Sequence, residues 1–269
     1  MDTKVVFYDI AMRPPVEKNN SAVNPWKTRL ALNFKSVPYS TNWVPLPDVS
    51  KVRTSLNIPA CRKFADGTDF HTLPILVDPA TSLKLGDSFD IAVYLQKQYP
   101  AGNDLFPPQP LDYVFSPDAA ILIPLSECDE GEYPQYARFN MNIDAAFTTH
   151  VALMVQGLPL DPATADVTKA EFVRRAGVSC WEDFAVTSEQ REKLIASFRD
   201  MLGGLAKTFS GNGPFLLGER ANYADFIVGA WLRMASKTLP SEEWELVKGW
   251  HGGVFGRLHD ALEIYAVVH

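Results

Sequence analysis

The sequence predicts an α/β domain over residues 1–100 joined to an all-α domain over residues 101–269. Three observations carry this reading. Short apolar strand candidates alternate with helix-start signals as far as Tyr99, and a run of prolines then breaks the pattern. Beyond those prolines the apolar spacing is helical and no strong strand pattern returns.

Lys4 to Asp9 reads as a short apolar strand, followed by a long loop from Ile10 to Val23 that carries Pro14-Pro15 and Asn19-Asn20-Ser21. Asn24-Pro25 reads as a helix start, Asn as N-cap and Pro at the first helical position, and Trp26, Leu30 and Phe34 recur at intervals of four. Tyr39 to Val44 is a second strand. Two strands separated by a helix imply a parallel pair with a right-handed crossover. Val49 to Leu56 reads as a weak helix closed by Pro59. Next come a strand from Pro74 to Val77, a turn over Asp78-Pro79, a short strand from Leu83 to Leu85, and a helix beginning near Ser88. The order β-α-β-α-β-β-α is the thioredoxin-like arrangement.

Pro100, Gly102, Pro107, Pro108 and Pro110 mark a linker. In the second part, Thr187 and Gln190 form a capping box ahead of Leu194, Phe198, Met201, Leu205 and Phe209, and Gly211-Asn212-Gly213-Pro214 ends that helix. Asn222 with Asp225 repeats the signal before Phe226, Ile227, Ala230, Trp231 and Met234. That helix is apolar on most sides and is therefore expected to be central. A last helical stretch runs from Phe255 to Tyr265.

With 269 residues, 46% of them hydrophobic, the chain can fill sizeable cores. Its net charge is −7 and its Lys and Arg residues are scattered, which argues against nucleic acid and anionic membrane as partners. No apolar run approaches the roughly 20 residues of a spanning helix, and the N-terminus shows no signal-peptide pattern. Cys61, Cys128 and Cys180 are odd in number and far apart, as suits reduced thiols. A cytoplasmic location is expected.

The segment from His71 to Leu95 carries the chemistry. Pro74 lacks an N–H and holds Leu73 extended, so it fits at a strand start or exposed edge, where Leu73 can offer its backbone to a short peptide as one more strand. Ser88 sits at a helix start, where unpaired N–H groups and the helix dipole favour a carboxylate, while Asp87 can take an ammonium. Glutathione presents a peptide backbone, an α-carboxylate and an α-ammonium.

This combination, with the proline-rich linker and the Asn-x-x-Asp cap, resembles the glutathione transferase superfamily over nearly the whole chain. The resemblance implies a glutathione transferase fold, a cis proline at Pro74 and a homodimer. It also implies that Leu73 pairs with the cysteinyl backbone of glutathione and that Asp87 and Ser88 hold the γ-glutamyl end. Asn24-Pro25-Trp26-Lys27-Thr28-Arg29 is similar to the Trp-Ser-Pro-Asn-x-Trp-Lys-x-Arg pattern of bacterial lignin β-etherases and fungus-specific class A transferases. So are Thr72-Leu73-Pro74-Ile75-Leu76, Asp78-Pro79 and Asp87-Ser88-Phe89. Ala22 stands where that pattern has its catalytic serine, and Ser21 lies one position earlier.

A thiol of ordinary pKa near 8.5 is a few per cent thiolate at neutral pH, and each unit of lowering needs about 1.4 kcal/mol. One or two hydrogen-bond donors suffice, since charge-assisted bonds to a partly buried anion contribute roughly 1.5–3 kcal/mol. Asn24 is the first candidate donor and Ser21 the second, although an Asn-Pro start also serves as a plain helix cap. Thiol-dependent variants of the superfamily need a cysteine in the first loop, and Cys61 lies elsewhere. The five histidines show no metal-ligand spacing, and neither a Cys-x-x-Cys nor a Gly-x-Gly-x-x-Gly is present. Gly86-Asp87-Ser88 matches an esterase nucleophile motif, but the distant Asp-x-x-His pair of that class is missing.

The resemblance also implies that the second ligand sits between the first loop and the helical part. Tyr133, Tyr136, Phe139 and Asn140 can stack on a flat phenolic ligand and bond its rim, with Met12 contributing from the loop. Two functions follow: a transferase that conjugates or cleaves aromatic esters, ethers or peroxides, and a non-catalytic ligandin that sequesters polyphenols. A module that keeps the fold without glutathione is a third.

Overall fold

A computed structural model describes residues 4–117, 121, 123–125 and 131–269; Cys128 lies outside the described residues. The first part contains β1 (Val5–Ile10), α1 (Val16–Asn19), α2 (Val23–Phe34), β2 (Tyr39–Val44), α3 (Val49–Ser55), β3 (Arg62–Lys63), β4 (Asp69–Phe70), β5 (Ile75–Asp78), β6 (Leu83–Leu85) and α4 (Ser88–Gln98). The second is helical: α5 (Pro134–Thr148), α6 (Ala152–Val155), α7 (Ala165–Ala176), α8 (Ser188–Ala206), α9 (Tyr223–Thr238), α10 (Ser241–Gly249) and α11 (Val254–Ala261). A 3₁₀ turn over Leu262–Tyr265 continues α11. No helix among the described residues is long and apolar enough to cross a membrane.

The main sheet has the order β2-β1-β5-β6. β1 and β2 run parallel from Val5 opposite Tyr39 to Ile10 opposite Val44, as a crossover through α2 requires, and β5 is antiparallel to β1 and β6. Side chains alternate across the sheet. Val5, Phe7 and Asp9 face α2, whereas Tyr8 and Ile10 join a smaller core with Leu46, Val49, Leu73 and Ile75 beneath α3. Asp9 is buried on the α2 face because Arg29 meets it there, Nη2 to Oδ2 at 2.6 Å. The main core is continuous from the sheet into the helical part. It joins Phe7, Trp26 and Ile91 to Phe198, Leu202 and Phe226.

Several sequence expectations need correction. The loop from Ile10 to Val23 contains the short helix α1, and an unanticipated hairpin, β3–β4, precedes the Leu73-Pro74 bend. Asn24 is not the N-cap of α2: Ala22 occupies that position, with extended backbone and no side-chain cap bond. Pro25 is tolerated two residues deeper because the N–H groups of the first helical turn have no intrahelical partner to lose.

Both capping boxes in the helical part form, Thr187 with Gln190 and Asn222 with Asp225. Asp225 accepts the backbone N–H of Leu216 at 2.7 Å and of Asn222 at 2.8 Å. Burial nevertheless pushes its carboxyl up to about 7 against those bonds. The folded chain therefore keeps a proton that the unfolded chain gives up above pH 4. This contribution to stability is complete below that point and is lost as pH rises through about 7. Urea unfolding between pH 5 and pH 8 is expected to show stability falling by up to about 1.4 kcal/mol per pH unit from this group. D225N is expected to flatten the slope; an unchanged slope would refute the assignment.

Candidate functional site

The peptide between Leu73 and Pro74 is cis. Leu73 buries its side chain in the smaller core, and its backbone lies beyond Tyr8 and Ile75, the last paired residues of the β1–β5 ladder. Arg53 secures this bend from inside. Its guanidinium, fully buried, donates to the carbonyls of Thr72 at 2.7 Å, Gly86 at 2.9 Å and Pro59, and to Cys61 Sγ at 3.2 Å. One side chain thus ties the segment entering Leu73 to the loop entering Asp87. A Cβ at Gly86 would overlap that guanidinium, which explains glycine there.

Asp87 is the N-cap of α4, its Oδ1 accepting Phe89 N–H at 2.7 Å while Oδ2 lies 3.8 Å from Arg62 Nη2. Ser88 begins the helix and is almost fully buried; its carbonyl accepts the Tyr223 hydroxyl of α9 at 2.9 Å, and its Oγ has no partner among the described residues. A buried hydroxyl without a partner marks a place where a polar ligand atom or water fits.

The first loop supplies the same kind of evidence. Ser21 Oγ and Asn24 Oδ1 are both buried without a partner among the described residues. Ser21, Ala22 and Asn24 line one cavity of about 250 Å³ together with Thr72 and Leu73. The structure therefore brings the candidate thiolate donors to the Leu73 edge, whereas Pro74, Asp87 and Ser88 do not line this cavity.

The rest of the cavity is mostly apolar, with Met12, Phe172, Trp231 and Met234 on its walls and Asp144, Arg62 and Arg175 as its charged members. Met12 lines the cavity. Tyr133, Tyr136, Phe139 and Asn140 do not. Tyr133 stacks on Phe106 with ring centroids 4.1 Å apart. Tyr136 is buried, its hydroxyl donating to the Pro107 carbonyl at 2.6 Å, and Phe139 is sealed in the main core. Asn140 accepts Lys27 Nζ at 2.8 Å. α5 turns this face inward, so the flat surface of the cavity comes from Trp231 of α9 instead.

Sequence reasoning missed Arg53, Arg62 and the pair Lys27–Asp144. Lys27 is fully buried in α2, and its ammonium meets Asp144 Oδ1 at 2.6 Å. Burial pushes the Lys27 ammonium down, and the Asp144 carboxylate opposes that shift. Lys27 and Arg29, two cations beside Trp26 and Leu30 in the first turns of α2, were the local signal. Cys61 sits beside Gly86, but burial pushes its thiol up, so it is poorly suited to serve as a nucleophile.

Comparison with known proteins agrees with this geometry. A model of the glutathione S-transferase N-terminal domain matches residues 23–98, and one of the C-terminal domain matches residues 144–265. The chain is 26% identical over 263 residues to the glutathione S-transferase-like protein ustS of Aspergillus flavus, covering 95% of this chain and 88% of the relative. It superposes on a glutathione S-transferase of Ceriporiopsis subvermispora, crystallised with glutathione, with a TM-score of 0.78 at 26% identity over 99% of both chains. For glutathione transferase GSTFuA3 of Phanerochaete chrysosporium the TM-score is 0.77 at 24% identity, over 99% of this chain and 98% of that one. Two domain models in the right order, on a sheet with a cis proline and a helical half packed against it, place this chain in the glutathione S-transferase superfamily.

Proposed function

We propose that residues 1–100 bind glutathione, that residues 101–269 complete a cavity for an aromatic electrophile, and that the chain joins the two as an etherase-like transferase of the fungus-specific class A type. The observation that carries this reading is one largely apolar cavity lined by Ser21, Asn24 and Leu73, so that polar first-loop residues and the backbone before the cis proline border the same space. The glutathione complex of the Ceriporiopsis subvermispora relative supports it. Leu73 then pairs with the cysteinyl backbone, and Asp87 and Ser88 take the γ-glutamyl end. The thiolate attacks an electrophilic carbon, a C–S bond forms, and a phenolate or carboxylate leaves with the bonding electrons and takes a proton from solvent.

The two donors are unequal. Ser21 Oγ is sealed beneath the cavity surface, whereas only the acceptor oxygen of Asn24 is sealed and its amide Nδ2 can donate without turning over. Backbone N–H groups at the start of α2 add to either. Thiolate absorbance of bound glutathione at neutral pH tests this: N24A is expected to cut the thiolate fraction about tenfold, the equivalent of about 1.4 kcal/mol, and S21A by less. No change in either variant would exclude both.

Ala22 gives substance to a second reading, a ligandin that binds polyphenols without turning them over, because the N-cap of α2 brings no hydroxyl to the thiol. Turnover of an aryl ester or β-aryl ether by the wild-type chain would set it aside.

A further inference from the structure

The cavity holds one carboxylate oxygen that has no hydrogen-bond partner among the described residues. Asp144, on α5, is 3% exposed and lines the cavity. Both of its donors fall on the same oxygen: Lys27 Nζ reaches Oδ1 at 2.6 Å and Trp231 Nε1 reaches it at 2.8 Å. Oδ2 has no hydrogen-bond partner among the described residues, and it is not one of the sealed orphan atoms. A carboxylate oxygen in apolar surroundings is costly unless something donates to it.

The surroundings state what that donor must be. Lys27 already balances the Asp144 charge, so a ligand cation has no deficit to fill, and a ligand carboxylate there would meet like charge. The cavity's other cations are matched by carboxylates elsewhere, Arg175 with Glu171 at 2.8 Å and Arg62 with Asp87 at 3.8 Å. A neutral O–H or N–H donor remains. Phe147 stacks on the Trp231 indole with centroids 5.2 Å apart, and the indole N–H is held on Asp144, so the ring is fixed where it borders the cavity. The thioethers of Met12 and Met234 line the same space and adapt to a flat body.

We propose that Asp144 is the specificity-determining residue of this cavity, its free oxygen accepting a hydrogen bond from a neutral donor, most simply a phenolic hydroxyl, on an aromatic ligand that lies against Trp231. The proposal rests on the cavity being the second-ligand site of the glutathione-dependent reading. It adds the polarity of the ligand's inner end.

The test is a titration of the full chain, with and without saturating glutathione, using 4-hydroxybiphenyl, 4-methoxybiphenyl and biphenyl-4-carboxylate and following tryptophan fluorescence. Wild type is expected to bind the hydroxyl compound about tenfold or more tighter than the methyl ether, because a bond to a charged acceptor in a dry site is strong, and to bind the carboxylate weakest. D144N keeps an acceptor for Lys27 and Trp231 but replaces the free oxygen by an amide donor. The tenfold preference is expected to collapse, and the carboxylate to gain. A residue that only supported the fold would weaken all three compounds alike.

Equal wild-type affinity for hydroxyl and methyl ether, an unchanged preference in D144N, or no binding of any compound would each overturn the proposal. If D144N does not fold, the wild-type series decides alone. Glutathione affinity, measured in the same samples, reports separately on the transferase reading: its absence beside an intact hydroxyl preference would remove that reading and leave the role of Asp144 standing.

Discussion

R53M is expected to abolish retention on immobilised glutathione and to lower the unfolding free energy by about 3 kcal/mol or more, read from urea denaturation. The guanidinium is fully buried and serves the carbonyls of Thr72, Gly86 and Pro59. Methionine fills much of the volume but leaves those carbonyls without a donor, and a buried acceptor left unsatisfied costs about 1–3 kcal/mol. The functional loss is expected to exceed the loss of stability in consequence, because two of the carbonyls belong to the segments that position Leu73 and Asp87. R53K restores the charge but cannot span acceptors on separate loops from a single nitrogen, so it is expected to fall between wild type and R53M. Full retention of R53M on glutathione, with unfolding shifted or not, would show that the two loops hold their spacing without Arg53.

The elements legible in the sequence were those with a local cause. β2 at Tyr39–Val44 and β6 at Leu83–Leu85 fall on the bounds the sequence predicts, and α8 and α9 start where their capping boxes start them. The bend at Leu73-Pro74 and the helix start at Asp87-Ser88 were legible for the same reason: they lie in one short stretch and follow from the chemistry of those residues. The start of α2 was misplaced because the Asn24-Pro25 signal suits the first turn as well as the cap, and Ala22, which caps with nothing, gives no signal at all. Tyr136 and Phe139 failed for another reason. Helical spacing tells which residues share a face, and both do, but not whether that face meets a ligand or the core. Arg53 and Asp144 were invisible because their partners are set by tertiary folding; Lys27 and Asp144 are 117 residues apart.

K27M is expected to destabilise the chain by about 3–5 kcal/mol, whereas the double variant K27M/D144L is expected to recover most of that loss. Lys27 and Asp144 are both removed from water, 2.6 Å apart, with Lys27 also donating to Asn140 and the Trp231 indole donating to Asp144 Oδ1. Removing the ammonium alone leaves the carboxylate desolvated with a single indole N–H, and its ionised form is then unsupported. Removing both charges replaces an ion pair by apolar packing between α2 and α5, which the continuous core around Trp26, Ile143 and Trp231 can accommodate. Equilibrium urea unfolding of the two variants separates a pair kept for stability from one kept for its place in the cavity. Recovery of stability in K27M/D144L together with loss of the hydroxyl preference assigns the pair to ligand selection. A double variant no more stable than K27M would instead make the ion pair a required link between the sheet-bearing and helical parts of the chain.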